Sequence, residues 1–260
     1  MDKIKLDFSR NAKSYDQYAH LQREVGHRLI SRLKFFKLKP KNILDLGCGT
    51  GFCGLELQKM FPQANIINLD FSFDMCTMAK QNLSQIVCAD INRLPFKPNS
   101  IDLIVSNFTF QWCADLISVF KLIKKITVAD GLFMFSTIGS TSLKELRQSW
   151  AMVDDYSRVN EFYNIYQVGD VLQQTGWQQP ILDIDYITNY YADVKLLFNE
   201  FKGLGVTNKA SKRSKGLMGK TKLNQFISNY ETFRQAQGLP LSWEIIYGCA
   251  RVQSNDNFKE

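Results

Sequence analysis

Ile43-Leu44-Asp45-Leu46-Gly47-Cys48-Gly49-Thr50-Gly51 is the stretch from which the rest of the chain can be read. Its first four residues alternate like a strand, and three glycines then stand at every second position, so the backbone turns sharply and leaves room for something to lie against it. The following residues 52–61 carry helix formers, with Leu55, Leu57, Met60 and Phe61 at apolar spacing. The glycines therefore sit between a strand and a helix N-terminus, a place suited to a nucleotide.

Two nucleotide chemistries compete for this loop. Gly49-Thr50-Gly51-Phe52-Cys53-Gly54 fits the dinucleotide fingerprint, and Asp70 stands 19 positions beyond Gly51, but a lone match of this kind is weak. Asp45 tips the balance. A carboxylate just before the glycines repels a pyrophosphate, whereas it can help organise the loop around the methionine ammonium of S-adenosylmethionine (SAM). Gly47, Cys48, Gly49 and Gly51 are then expected to line the cofactor.

Outward from the loop, residues 41–137 alternate strand and helix, which predicts a right-handed parallel α/β sheet. Strands are expected at 43–46, 65–70, 86–89, 101–106 and 132–137, with 181–188 and 244–250 completing it. Asp70, at the end of the second strand, is placed to accept hydrogen bonds from ribose hydroxyls. Phe71 and Met75 are apolar enough to pack on an adenine face, and Asp90-Ile91 follows the third strand, where a carboxylate can accept from the exocyclic amine. Ser106 and Asn107 close the fourth strand at the ligand crevice, and Asn107, Gln111 and Trp112 are the expected pocket lining.

Residues 1–38 read as helical, with Leu21, Val25, Leu29 and Leu33 forming an apolar stripe. Phe8, Ala12 and Tyr15 share a face, so Tyr15 is either a lid over the cofactor or a core aromatic. A helix is expected over 140–175. About 55 residues separate the last two strands, more than a crossover needs. The expected layout is one domain over 1–260, with an N-terminal helical lid at 1–40, the Rossmann-like core at 41–188 and 236–260, and a basic helical insertion at 189–235.

The 260 residues are 45% hydrophobic and 13% aromatic, which argues against disorder. Cys48, Cys53, Cys76, Cys88, Cys113 and Cys249 form no C-x-x-C pair, and His20 and His27 are the only histidines, so neither a disulfide framework nor a metal site is expected. No run approaches 18 apolar residues, and the expected compartment is the cytoplasm. The net charge of +7 is clustered: Lys202, Lys209, Lys212, Arg213, Lys215, Lys220 and Lys222 form one acid-free run, and Arg28, Arg32, Lys34, Lys37, Lys39 and Lys41 another. Such runs suit nucleic acid or an acidic protein, or are simply solvated.

Leu44 to Gly51, Asp70, Asp90 and Leu94-Pro95-Phe96 together resemble the class I SAM-dependent methyltransferases. The resemblance implies a central seven-stranded, mostly parallel sheet with helices on both faces. A narrower resemblance spans nearly the whole chain. Phe8-Ser9-Arg10, Ser106-Asn107, Gln111-Trp112-Cys113, Val159-Asn160, Lys202-Gly203-Leu204-Gly205, Arg213-Ser214-Lys215-Gly216-Leu217-Met218-Gly219 and 238–248 are similar to the malonyl-acyl carrier protein O-methyltransferases of biotin synthesis. It implies methyl transfer from SAM to the free carboxylate of a malonyl thioester, and an acidic carrier protein docking on Arg28, Arg32, Lys34, Lys209, Lys212 and Lys215. That carboxylate is already ionised at neutral pH, so no general base is required. It does need a cation, and the bidentate fork of Arg213 is the expected one. The competing readings are a SAM-dependent methyltransferase of RNA or a small metabolite, and a SAM-binding regulator without turnover.

Overall fold

A computed structural model of the chain describes residues 2–205 and 219–254. Its strands are β1 (Asn42–Leu46), β2 (Asn65–Asp70), β3 (Ile86–Cys88), β4 (Ile101–Asn107), β5 (Thr127–Ile138), β6 (Gln178–Tyr191) and β7 (Leu239–Arg251). They form one seven-stranded sheet in the order β3-β2-β1-β4-β5-β7-β6, in which β7 alone runs against its neighbours. Because β2 and β4 leave β1 in opposite directions, a crevice opens at the carboxyl end of β1, where the glycines follow.

Three helices precede the sheet: α1 (Asp2–Asn11), α2 (Tyr15–Tyr18) and α3 (His20–Arg32). The parallel strands are connected in part by α4 (Phe52–Met60), α5 (Phe73–Ala79) and α6 (Leu116–Ile126), while α7 (Lys144–Ala151) and α8 (Ile165–Gln174) lead from β5 to β6. Between β6 and β7 lie α9 (Val194–Gly203) and α10 (Lys220–Glu231). Short polar side chains begin four of these helices. Ser72, Asp115, Asn164 and Asp193 accept from the backbone N–H groups of Met75, Ser118, Gln167 and Leu196, donors that a first turn leaves unpaired.

Strand alternation splits the core between the two faces of the sheet. Ile43, Leu103, Met134 and Ile245 meet Leu21, Val25 and Leu29 of α3 on one side. Their immediate neighbours Leu44, Ile104, Phe133 and Ile246 meet Val119, Phe120 and Ile123 of α6 and Val168 and Leu172 of α8 on the other.

The sequence expectation of one helix over 140–175 fails at residues 152–164. Asp154 accepts there from the Tyr156 N–H at 3.2 Å, a turn that competes with helix continuation, and Asn164 and Gln167 start α8 with a reciprocal capping box. The N-terminal stripe is likewise broken into three helices, at residues 12–14 and at Ala19. β6 and β7 exceed their expected lengths because their antiparallel ladder runs from Gln178 opposite Arg251 to Tyr191 opposite Leu239.

Candidate functional site

The glycine loop is fastened to the end of β2. The N–H groups of Gly47 and Cys48 both donate to the Leu69 carbonyl, at 2.7 and 2.9 Å, and the Gly49 N–H donates to Asp70 Oδ2 at 3.0 Å. Gly47 has φ +77°, and a Cβ there would lie 2.1 Å from Thr109 Oγ1; only glycine fits. At Gly49, φ +54°, a Cβ would meet nothing within 4 Å and would fill the space that the loop keeps open.

Two small cavities flank this loop and a larger one adjoins them. Asp45, Gly47, Cys48, Gly49, Tyr15 and Asn107 line the first. Asp70, Phe71, Asp90, Ile91, Trp112 and Cys113 line the second. The third, of about 120 Å³, shares Tyr15 and Gln22 with the first and Trp112 with the second, and continues past Gln111, Phe108, Leu146 and Arg158.

Asp45 is the most exposing test of what belongs there. Its carboxylate is 1% exposed and neither oxygen has a hydrogen-bond partner. Burial pushes its carboxyl up to about 7; the nearby Gly54 amide, which makes no well-formed hydrogen bond to it, pulls the other way, and Asp70 adds to the rise. An unpaired buried carboxylate is costly unless a cation arrives to meet it. The ammonium of SAM is such a cation, so the residues fit the group. Asp70 is held differently, with its two oxygens accepting from the Gly49 and Ser72 N–H groups at 3.0 and 2.8 Å. Each oxygen keeps a second lone pair for a ribose hydroxyl. Burial raises its carboxyl, and these amides only partly offset the rise.

The N-terminal helices cover the crevice. Phe8 of α1 stands edge-on to Trp112 at 5.6 Å, to Phe71 at 6.2 Å and to Tyr15 at 6.4 Å, so one ring bridges both small cavities. Tyr15 therefore faces the cavities. Its phenol is pushed well above its ordinary value, by burial first and then by Asp70 and Asp16, so it stays protonated and does not serve as a base. The end of α9 packs closely against these helices: a Cβ on Gly203 would strike the Tyr18 ring at 2.2 Å, and one on Gly205 the Asp7 carbonyl at 2.7 Å.

Other expected site residues fall elsewhere. Ser106 is fully buried and gives its hydroxyl to the Leu46 carbonyl at 2.7 Å, and Met75 is buried within α5; neither lines the three cavities. Gly51 caps α4 and leaves space for Leu83, whose Cδ1 would lie 2.6 Å from a Cβ. Asn107 lines the first cavity, but its amide is engaged, donating to the Gln22 carbonyl at 2.9 Å and accepting from Ser136 at 2.6 Å. Gln111 donates to the Phe108 carbonyl at 2.6 Å, while its buried Oε1 has no partner.

Arg213, Lys209, Lys212 and Lys215 lie outside the described residues. Arg28 pairs with Asp185 and Glu24, and Arg32 with Asp183 at 2.9 Å, where its guanidinium also lies 3.8 Å over the Tyr247 ring. Of the expected N-terminal docking trio, Lys34 is exposed and, unlike Arg28 and Arg32, joins no ion pair among the described residues. Arg158 and Gln22 were not expected at the site. The sole signal was Val159-Asn160, the family-like pair beside Arg158. Among the described residues no three His, Cys, Asp or Glu side chains converge as metal ligands would, and no helix is long and apolar enough to cross a membrane.

A switch-point crevice, a glycine loop with an unpaired carboxylate behind it and a ribose-type acid on the next strand define a class I SAM-dependent methyltransferase. A methyltransferase-domain model matches residues 44–135. The YcgJ protein of Bacillus subtilis shares the fold, with a TM-score of 0.61 at 15% identity over 88% of this chain and 99% of that one. Sequence likeness runs further. The malonyl-[acyl-carrier protein] O-methyltransferase of Gallionella capsiferriformans is 40% identical over 254 residues, 94% of this chain and 88% of the relative. That of Legionella pneumophila is 35% identical over 255 residues, 96% and 90% of the two chains. The chain belongs to the malonyl-[acyl-carrier protein] O-methyltransferase family.

Proposed function

We infer that the chain transfers a methyl group from SAM to the free carboxylate of a malonyl thioester borne by acyl carrier protein. The observation that carries this reading is the third cavity, which abuts both halves of a cofactor crevice and is apolar apart from a few polar side chains and one arginine. Such a space suits a short acyl group that ends in a negative charge.

SAM, when bound, supplies a methyl group on a positively charged sulfur. The chain's own task is placement and exclusion of water. Asp45 suits the ammonium, Asp70 the ribose hydroxyls, and Phe71, Asp90 and Ile91 the adenine. Phe8, Tyr15 and Trp112 shield the junction of the three cavities, where acceptor and donor would meet. No proton has to be removed, since a malonyl carboxylate with a pKa near 4 is ionised at neutral pH. The permanently protonated Tyr15 agrees with that economy.

The carrier protein that the family name implies is acidic, and the run from Lys202 to Lys222 is assigned to docking it. Arg28 and Arg32 contribute less, because acids of β6 neutralise them. Esterification converts a charged starter into an apolar one, which is the form that chain-elongating enzymes of biotin synthesis require. A biosynthetic step of this kind belongs in the cytoplasm.

Mass spectrometry of malonyl carrier protein incubated with SAM and the purified chain tests the assignment. One added methyl on the acyl group is expected. An unchanged acyl group beside methylated RNA or metabolite would overturn it.

A further inference from the structure

Arg158 is the only charged side chain among the described residues that line the third cavity. It comes from the irregular segment between α7 and α8, and its surroundings fix it firmly. Its side chain is 14% exposed, its guanidinium lies 4.8 Å over the Trp150 ring and 5.7 Å from the Tyr156 ring, and Nη2 donates to Asp154 at 2.8 Å. Arg147 holds the adjoining backbone, donating to the Asn160 carbonyl at 2.7 Å.

Two features separate this arginine from a structural ion pair. Its Nε is buried and has no hydrogen-bond partner, so a donor of a permanently charged group is left unmet. Asp154 is also shared: it accepts from Lys222 at 3.0 Å as well. Burial would raise the Asp154 carboxyl, yet the hydrogen bonds from Arg158 and Lys222 outweigh it and hold it down at about 2. Two cations on one anion leave the cluster with a net positive charge, and Arg158 is the member of it that lines the cavity.

We propose that Arg158 binds the free carboxylate of the acyl substrate, through the part of its guanidinium that Asp154 leaves open. This rests on the methyl-transfer reading above and deepens it, assigning the anion site to the described cavity and away from Arg213. The partial neutralisation has a chemical use. A carboxylate gripped by an isolated guanidinium is a poor nucleophile, whereas one held at a single edge keeps an oxygen free to face the methyl donor. Acyl groups that end in a carboxylate are thereby selected over uncharged ones of similar length.

The test compares the wild-type chain with Arg158→Met, Arg158→Lys and Arg213→Ala. SAM binding is measured by calorimetry, turnover with malonyl carrier protein, and inhibition with acetyl carrier protein. Arg158→Met is expected to lower kcat/KM for malonyl carrier protein about 10–100-fold, as loss of a charge-assisted hydrogen bond does. SAM affinity and acetyl carrier protein inhibition should stay within about twofold, and Arg158→Lys should recover part of the loss. A general folding defect would depress all three readouts together, so the ratio of malonyl to acetyl recognition isolates the anion contact. Loss of that ratio in Arg213→Ala, with Arg158→Met unchanged, would overturn the proposal while leaving the reaction standing. A wild-type chain that never methylates malonyl carrier protein would instead refute the reaction itself.

Discussion

Thr50 Oγ1 donates a 2.7 Å hydrogen bond to Asp16 Oδ1, joining the glycine loop to a residue 34 positions earlier in the lid. Arg23 lies 3.3 Å from the same carboxylate oxygen, so Asp16 is clamped between loop and helix. The N-terminal helices and the glycine loop are therefore tied to one another. Thr50→Val should raise the SAM dissociation constant about 2–10-fold, the worth of one such bond, without changing the far-UV circular dichroism spectrum. Calorimetric affinity equal to wild type would show that the lid does not need this pin.

Asp45 gives a pH dependence of opposite sign for stability and for binding. Its carboxyl sits at about 7 in the folded chain, against an ordinary value of about 4 when unfolded. The folded chain thus holds a proton that the unfolded chain has released, and stability falls as pH rises from about 4 through 7. A bound ammonium favours the carboxylate, so SAM affinity should weaken about tenfold per unit as pH drops below 7. Asp45→Asn should flatten this profile and bind SAM poorly, yet melt at a higher temperature than wild type at pH 8. Calorimetry and thermal melts across the range check both halves.

Ser106 provides the contrast. Its hydroxyl is spent on the Leu46 carbonyl inside the sheet. Ser106→Ala should cost about 1–3 kcal/mol of stability through the stranded acceptor while leaving SAM affinity within about twofold. A tenfold loss of affinity with an unchanged urea midpoint would return Ser106 to the cofactor site.

Gly203 is occupied by the Tyr18 ring where a Cβ would be. Gly203→Ala should push α9 away from the lid at a cost of about 1–3 kcal/mol. Limited proteolysis should then cut the N-terminal helices sooner, and saturating SAM should restore protection. Identical cleavage rates would mean that α9 does not brace the lid.

Carrier-protein docking should respond to charge reversal in the insertion far more than to changes on α3. Lys212→Glu with Lys215→Glu should slow association with malonyl carrier protein about tenfold at low salt, and less at high salt. Arg28→Gln should alter it little, since Asp185 already balances that charge. Stopped-flow traces at two ionic strengths decide.

The strand positions were legible because alternation and glycine spacing are local signals. Asp70 is picked out by closing a strand, Asp90 by following one and Asp45 by preceding the glycines, and all three line the cavities beside the loop. What escaped was set by contacts between distant segments. The run from Arg28 to Lys41 reads as acid-free along the chain, yet Asp183 and Asp185 arrive from β6, 151 and 157 residues away. Ser106 looked like a crevice residue because it ends a strand, and alternation turned it inward. Arg158 carried no signal of its own, since its meaning depends on Trp150, Asp154 and Lys222 gathering around it in a segment misread as helix.

The sheet order has a consequence for how the molecule comes into being. β7, the final strand, is threaded between β5 and β6 and supplies hydrogen bonds to both. During synthesis those two partners wait, each with a bare edge, until residues 239–251 emerge. The end of α9 that packs on the N-terminal helices is also made late, long after those helices themselves. A nascent chain thus carries its loop and acids early, but its sheet stays open between β5 and β6 until β7 is made.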